Sequence, residues 1–194
     1  KGAIEGGGEF LGAPHRLTVP AVGLAESREI GIGQLRADDA SGIVRLLGLA
    51  DRAAPLLEQS RGKRVQLHGE QHVEVADSLM ALSVLDQNNG DFAAAETRQR
   101  RALAIQRALL DRGDVRIGDT LTDLSVTLLS LARYGDAETA VREALAIHRR
   151  HPDAQEGVAY DLNNLGSVLR RSGRLPEAEG VYREALTAAR AVFG

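Results

Sequence analysis

Apolar residues along most of this chain recur at intervals of three and four, the spacing that lines one face of an α-helix, and the pattern breaks and restarts at regular points. From residue 73 onward it predicts helices over 73–89, 92–112, 116–132, 135–150, 155–172 and 175–191. The breaks have the chemistry of a stop followed by a start. Asn88-Asn89-Gly90-Asp91 closes the first helix, and Ser172-Gly173-Arg174 closes the fifth, with Gly173 suited to a helix C-terminus and Pro176 to the first turn of the next. Ala132 stands where the matching glycine of the middle break would fall, so that turn is the least well defined.

The pattern is itself periodic. Leu79, Leu121 and Leu162 are separated by 42 and then 41 residues, and the same register holds for Leu82, Leu124 and Leu165, for Ala95, Ala137 and Ala178, and for Ala102, Ala144 and Ala185. Arg101-Ala-Leu-Ala-Ile105 returns as Glu143-Ala-Leu-Ala-Ile147 and as Glu184-Ala-Leu-Thr-Ala188. Each period is a helical hairpin, and the predicted fold class is all-α: an α-solenoid of stacked antiparallel helical hairpins. Ala95, Ala137 and Ala178 on the second helices are set opposite Ser83, Ser125 and Gly166 on the first, short side chains that let two helices close on each other.

The last unit reads Leu162-x2-Leu165-Gly166-x2-Leu169 and then Ala178-x3-Tyr182-x2-Ala185, which resembles the tetratricopeptide-repeat pattern, with leucine in place of the leading tryptophan. The period of 42, where that family's usual unit is about 34 residues, together with Asp161-Leu-Asn-Asn-Leu165 and Leu175-Pro-Glu-Ala-Glu179, is similar to the kinesin light chain type. Leu67-His-Gly-Glu-Gln-His72 looks like that type's inter-repeat loop. HEAT or armadillo repeats are the alternative architecture. They share the period but do not demand the alanine-x3-aromatic-x2-alanine spacing.

One period further back, Leu49 to Gln59 resembles a second helix of the family, spanning about 51–67, while its first helix is poor because Asp38, Asp39 and Gly42 interrupt it. The expected organisation is a flexible or extended segment 1–27, partly linker-like, a degenerate hairpin 28–70, and repeats 71–114, 115–153 and 154–194. Within the first segment, residues 15–23 have strand character only if a partner edge is supplied. The start at Lys1 and the stop at a repeat boundary read as those of a piece of a longer chain, and an uncapped last hairpin implies self-association through its apolar face.

Composition narrows the function. A net charge of -3 and 3% aromatic residues argue against a nucleic-acid partner, and the chain has no apolar run of about 18 residues with which to cross a membrane. A cytoplasmic location is expected. Lys1 and Lys63 are the only lysines among many arginines, a bias of GC-rich bacterial genomes, and the absence of cysteine removes disulfides, thiolate metal sites and a cysteine nucleophile.

Candidate chemistry is sparse. His68 and His72 are four apart, but they straddle Gly69 in a loop and no third ligand is evident, so no metal is expected. His148 and His151 fall at a helix end, where imidazole complements the terminal carbonyls. Gly31-Ile-Gly33 lacks the third glycine and the strand-to-helix context of a dinucleotide site. No serine elbow or paired catalytic acids occur, and neither enzymatic activity nor a cofactor is expected. Asp86 and Gln99 replace residues that are apolar or aromatic in the other units (Leu128 and Leu169, Val141 and Tyr182). They are read either as bonding each other or, in preference, as partly exposed.

The resemblance implies a scaffold or adaptor that binds a peptide segment or partner surface on the concave face lined by the first helices. The alternative is a regulatory or docking region of a larger bacterial signalling enzyme, such as a Ser/Thr kinase, or of a transcriptional regulator. The groove positions are Asp77, Met80, Ala81, Val84, Gln87 and Asn88, then Asp119, Thr122, Asp123, Val126 and Ser130, then Tyr160, Asn163, Asn164, Ser167, Arg170 and Arg171. Such a groove is acidic toward its N-terminal units and basic at its C-terminal one. The lysine and asparagine pattern with which chaperone-binding members clamp a terminal carboxylate is absent, whereas Asn163 and Asn164 match the family's asparagines that hydrogen-bond a peptide main chain.

Overall fold

The computed structural model describes residues 49–193, with side chains from Ala53 onward. The N-terminal segment 1–27, the first helix of the degenerate hairpin and Gly31–Gly33 lie outside the described residues. Every regular element described is an α-helix: α1 (Leu49–His68), α2 (Val73–Asn88), α3 (Phe92–Leu109), α4 (Val115–Ser130), α5 (Tyr134–His148), α6 (Gln155–Arg171) and α7 (Leu175–Phe193). Consecutive helices pack on one another along the whole series, so the fold is a linear stack of hairpins, α2–α3, α4–α5 and α6–α7, with α1 against α2.

The hairpin turns share one backbone solution. Gly90 and Gly173 have φ near +80°, and the residue after each donates to a carbonyl five positions back, Asp91 to Asp86 and Arg174 to Leu169. Ala132 takes the same turn at φ +59°, with Arg133 donating to Leu128. The alanine gives up roughly 1 kcal/mol relative to a residue without Cβ. The turn forms because the flanking helices fix where the chain must go. α3 stops three residues before the periodicity suggests: Leu110 turns extended (φ -111°, ψ 160°) and packs against the core of the next hairpin. The helix restarts after Asp114, whose carboxylate caps the Arg116 amide at 3.0 Å.

All four in-register sets are buried. Leu121, Leu124, Leu162 and Leu165 are each at most 3% exposed, worth about 2 kcal/mol apiece in area removed from water. The core crosses repeat boundaries: Leu103 of α3 and Val168 of α6 join the cluster of α4 and α5, and Val141 and Leu145 of α5 join that of α6 and α7. Gly166 makes room for the ring of Tyr182, since a Cβ there would lie 2.6 Å from it, while Tyr182 Oη meets Ser167 Oγ at 3.1 Å.

Asp86 and Gln99 do not bond each other. Asp86 accepts from Arg98 at 2.7 Å, and Arg98 also reaches Glu58 of α1 at 2.8 Å, so the half-buried acid is paired rather than simply exposed. Gln99 is fully buried, not partly exposed, and neither of its amide atoms has a partner among the described residues.

On the outer side, ion pairs tie each second helix to the next: Glu96 with Arg133 and Glu138 with Arg174 at 2.7 Å, Arg107 with Glu143 at 2.7 Å, and Arg149 with Glu184. Glu96 and Glu138 are half-buried, but the arginines stand largely in water, where screening leaves such pairs worth little. They register the stack more than they hold it together.

Candidate functional site

α4 and α6, first helices of adjacent hairpins, touch each other directly, a contact that the second helices α3 and α5 do not match. Between these two hairpins the stack is closer on the side of the first helices, whose shared face is its inner face. Polar side chains sew this face together. Gln87 Nε2 of α2 donates to Thr127 Oγ1 of α4 at 2.7 Å, and Thr122 Oγ1 of α4 donates to Asp161 Oδ1 of α6 at 2.6 Å.

The groove positions divide by exposure. Asp77, Ser130, Arg170 and Arg171 are exposed, while Met80, Ala81, Val84, Gln87, Asn88, Asp119, Val126, Tyr160, Asn163 and Ser167 are half-buried. Thr122, Asp123 and Asn164 are buried, at 2%, 6% and 5%. Helical register places them on the inner face but cannot reveal that close packing of neighbouring first helices covers them. Asn164 Nδ2 is buried without an acceptor among the described residues, a costly state for an amide that has two protons to donate. Arg170 and Arg171 have no ion-pair partner among the described residues, whereas Arg174 a few residues on is held by both Glu138 and Glu177.

Behind the inner face lies a network that the helical periodicity does not announce. His148, the last residue of α5, does not serve its own helix end: it is 1% exposed and lies between α4 and α6. Its Nδ1 is 2.7 Å from Asp161 Oδ2, and its Nε2 is 3.3 Å from Asp119 Oδ1, an ion-pair contact. Burial would lower the pKa of His148, but the bonds and charges of Asp119 and Asp161 outweigh it and raise it to about 9. Burial pushes the Asp161 carboxyl up, against the lowering influence of His148 and Thr122. Gly118 and Gly157 flank the imidazole; a Cβ at either would come within 2.5 Å and 2.8 Å of a ring nitrogen. Sequence signals for this were available in register: Asp161 stands where Ser78 and Thr120 stand, and His148 where Gln106 stands. His151 also reaches beyond its own helix, its Nε2 lying 2.7 Å from the Gly113 carbonyl. That contact borders an open cleft of about 600 Å³ lined also by Asp111, Asp114 and Arg116. Asp114 and Arg116 are engaged with each other there at 2.7 Å.

Hairpins stacked in this way, with a polar inner face and a continuous core behind it, define a helical-repeat interaction domain, a type of fold that is typically non-catalytic. Residues 75–150 match a tetratricopeptide-repeat family model and residues 162–194 match a second one, together more than half of the chain. The chain belongs to the tetratricopeptide-repeat family, and its repeats have the kinesin light chain-like form.

The fold is similar to the crystal structure of BtubC (BKLC) from P. vanneervenii, with a TM-score of 0.71 and 22% identity over 80% of this chain. The chain spans 62% of the length of that structure. It is also similar to the putative kinesin light chain with nearly identical TPR-like repeats from Podosopora anserina. One crystal structure of that protein gives a TM-score of 0.63 at 15% identity, covering 85% of this chain and 82% of the other. A second gives 0.62 at 16%, covering 88% and 86%. No curated protein sequence matches the chain. Tetratricopeptide repeats generally mediate protein–protein interaction. No helix among the described residues is long and apolar enough to cross a membrane.

Proposed function

We propose that this chain is a scaffold or adaptor whose inner face holds an extended segment of a partner protein across α2, α4 and α6. The observation that carries the reading is the exposed Arg170–Arg171 pair at one end of that face, without an ion-pair partner among the described residues, set against the exposed Asp77 at the other. A segment with acidic residues toward α6 and a basic residue toward α2 complements this gradient. Asn163 and Asn164 lie between the two ends, and the amide protons of Asn164 lack an acceptor that a peptide carbonyl supplies once the neighbouring side chains give way.

Fluorescence anisotropy on a labelled peptide library tests the reading. Arg170→Glu with Arg171→Glu is expected to weaken the best acidic ligand by at least about tenfold, with a loss of salt dependence. Asn163→Ala and Asn164→Ala are expected to weaken all bound sequences alike. Binding unchanged in these variants would remove the inner face from the site. The same groove serves equally as a docking region within a larger bacterial signalling enzyme or transcriptional regulator, where it would act in the cytoplasm on the same class of ligand.

A second reading, self-association through α7, has its own support. Leu175, Leu186 and Phe193 fall on one line of α7 and are 60%, 52% and 61% exposed, although Leu186 is in register with Leu103 and Leu145, which are both buried. Arg190 is in register with Arg107 and Arg149, each of which pairs with a glutamate of the next second helix. Sedimentation velocity is expected to show a concentration-dependent dimer that Leu186→Glu dissociates. A monomer at every concentration would dismiss this reading and leave the groove reading untouched.

A further inference from the structure

We propose that the corner between α1 and α2 is a divalent-metal site, in which His68, His72 and Glu74 hold a zinc-class ion. By sequence alone the two histidines lack a third ligand and sit in a loop. The fold supplies what the spacing does not show. α1 ends at His68, and Gly69 turns the chain at φ +80° while its amide donates to the Val65 carbonyl at 2.8 Å. α2 begins four residues later, with His72 as its N-cap. So tight a return lays one imidazole over the other, with centroids 4.3 Å apart and planes 16° from parallel. Glu74, in the first turn of α2, then brings its carboxylate beside them, with Oε2 3.7 Å from His68 Nε2.

One donor atom from each of the three residues lies within 4.8 Å of the others. Ligands at about 2.1 Å in a tetrahedral zinc site are roughly 3.4 Å apart, so the donor atoms have a short distance to close, and the two stacked rings must turn about their side-chain torsions to aim their nitrogens at one ion. These groups are free to do so. Glu74 is exposed, and its carboxylate accepts no hydrogen bond among the described residues. Its other charged neighbour, Arg64, stands off at 3.7 Å because that guanidinium is committed to the Glu74 carbonyl and to Ser78 Oγ. Ligation gives up the stacking of the two rings and, through His72 Nδ1, the 3.3 Å bond from the Glu74 amide, which is long for a cap. Two imidazoles and a carboxylate form a nitrogen–oxygen set that suits zinc among the borderline ions, with a fourth position for water or a partner's side chain. An ion there staples α1, the helix of the degenerate hairpin, to the first clear repeat.

Zinc titrated into the protein and followed by competition with a chromophoric chelator tests the site. Uptake of one equivalent is expected, with a rise in melting temperature. His68→Asn and Glu74→Gln are each expected to weaken uptake by at least about tenfold, and His72→Asn to do the same while keeping a residue that caps the helix. Far-UV circular dichroism unchanged across the variants separates lost ligation from lost fold. Absence of uptake, or uptake equal in wild type and all three variants, would overturn the proposal. His148 and His151 are engaged with Asp161 and the Gly113 carbonyl, so a signal that survives the three substitutions would have to arise elsewhere in the chain.

Discussion

Asp161→Ala is expected to destabilise the protein by about 3 kcal/mol in urea unfolding, the low end of what removing one member of a buried ion pair costs. Both side chains of the pair are at most 1% exposed, and the substitution leaves the His148 imidazolium with Asp119 as its one remaining carboxylate, 3.3 Å away. Thr122 also loses its acceptor on α6. The effect should be coupled: His148→Ala and the double variant complete a cycle in which the two single losses add to clearly more than the loss in the double.

The same pair sets a pH dependence. His148 has its folded pKa raised to about 9, above the roughly 6.5 of an unfolded histidine. Its contribution is fully present below about pH 6.5 and is lost as pH rises through 9. Asp161 is shifted upward too, by burial, so its contribution likewise declines with rising pH, from the unfolded carboxylate range upward. Stability at pH 6.5 is therefore expected to exceed that at pH 9.5, and His148→Ala should flatten the profile. A wild-type profile already flat over this window, or an Asp161→Ala loss below about 1 kcal/mol, would contradict the ion-pair account.

Gly118→Ala combined with Gly157→Ala should cost about 2 kcal/mol, opposite in sign to what helix preference gives. Each exchange of glycine for alanine inside a helix is worth about 1 kcal/mol in favour of alanine, so propensity alone predicts a gain. Packing decides otherwise, because the new Cβ atoms meet the His148 ring from both sides at 2.5 Å and 2.8 Å. A ring tied to Asp161 cannot swing away, and overpacking of this kind costs about 1–3 kcal/mol per site. In a His148→Ala background the obstruction is gone, and the double alanine should then stabilise by about 2 kcal/mol. The reversal is measurable by thermal or urea unfolding of the two backgrounds side by side. Equal effects in both would mean that the glycines are not there for the histidine.

Much of the fold was legible because burial in a repeat array is periodic. Leu79, Leu121 and Leu162 share one environment, as do Ala95, Ala137 and Ala178, so the same residue type returns at the same phase and all six are buried. Local exceptions were harder to read. Ala132 enters the left-handed turn because the helices on either side dictate it, and Leu110 leaves α3 early because the neighbouring hairpin offers it a core. The candidate groove was legible only as a set of positions on the first helices. That Thr122, Asp123 and Asn164 are covered while Arg170 and Arg171 stand open depends on how closely α4 and α6 approach, a distance no residue spacing encodes.

The order of helices, their pairing into hairpins and the face each one buries were determined by sequence alone, since a 3.6-residue apolar stripe and a repeating period leave one economical way to remove that surface from water. Tertiary structure decided the polar partnerships. His148 meets Asp161 and Asp119, and His68 meets Glu74 around a turn, only after the helices carrying them have been stacked. Hydrophobic burial is nondirectional and shows in composition and phase, whereas an ion pair or a ligand set needs particular atoms within a few ångströms, which the packing of neighbouring hairpins alone supplies.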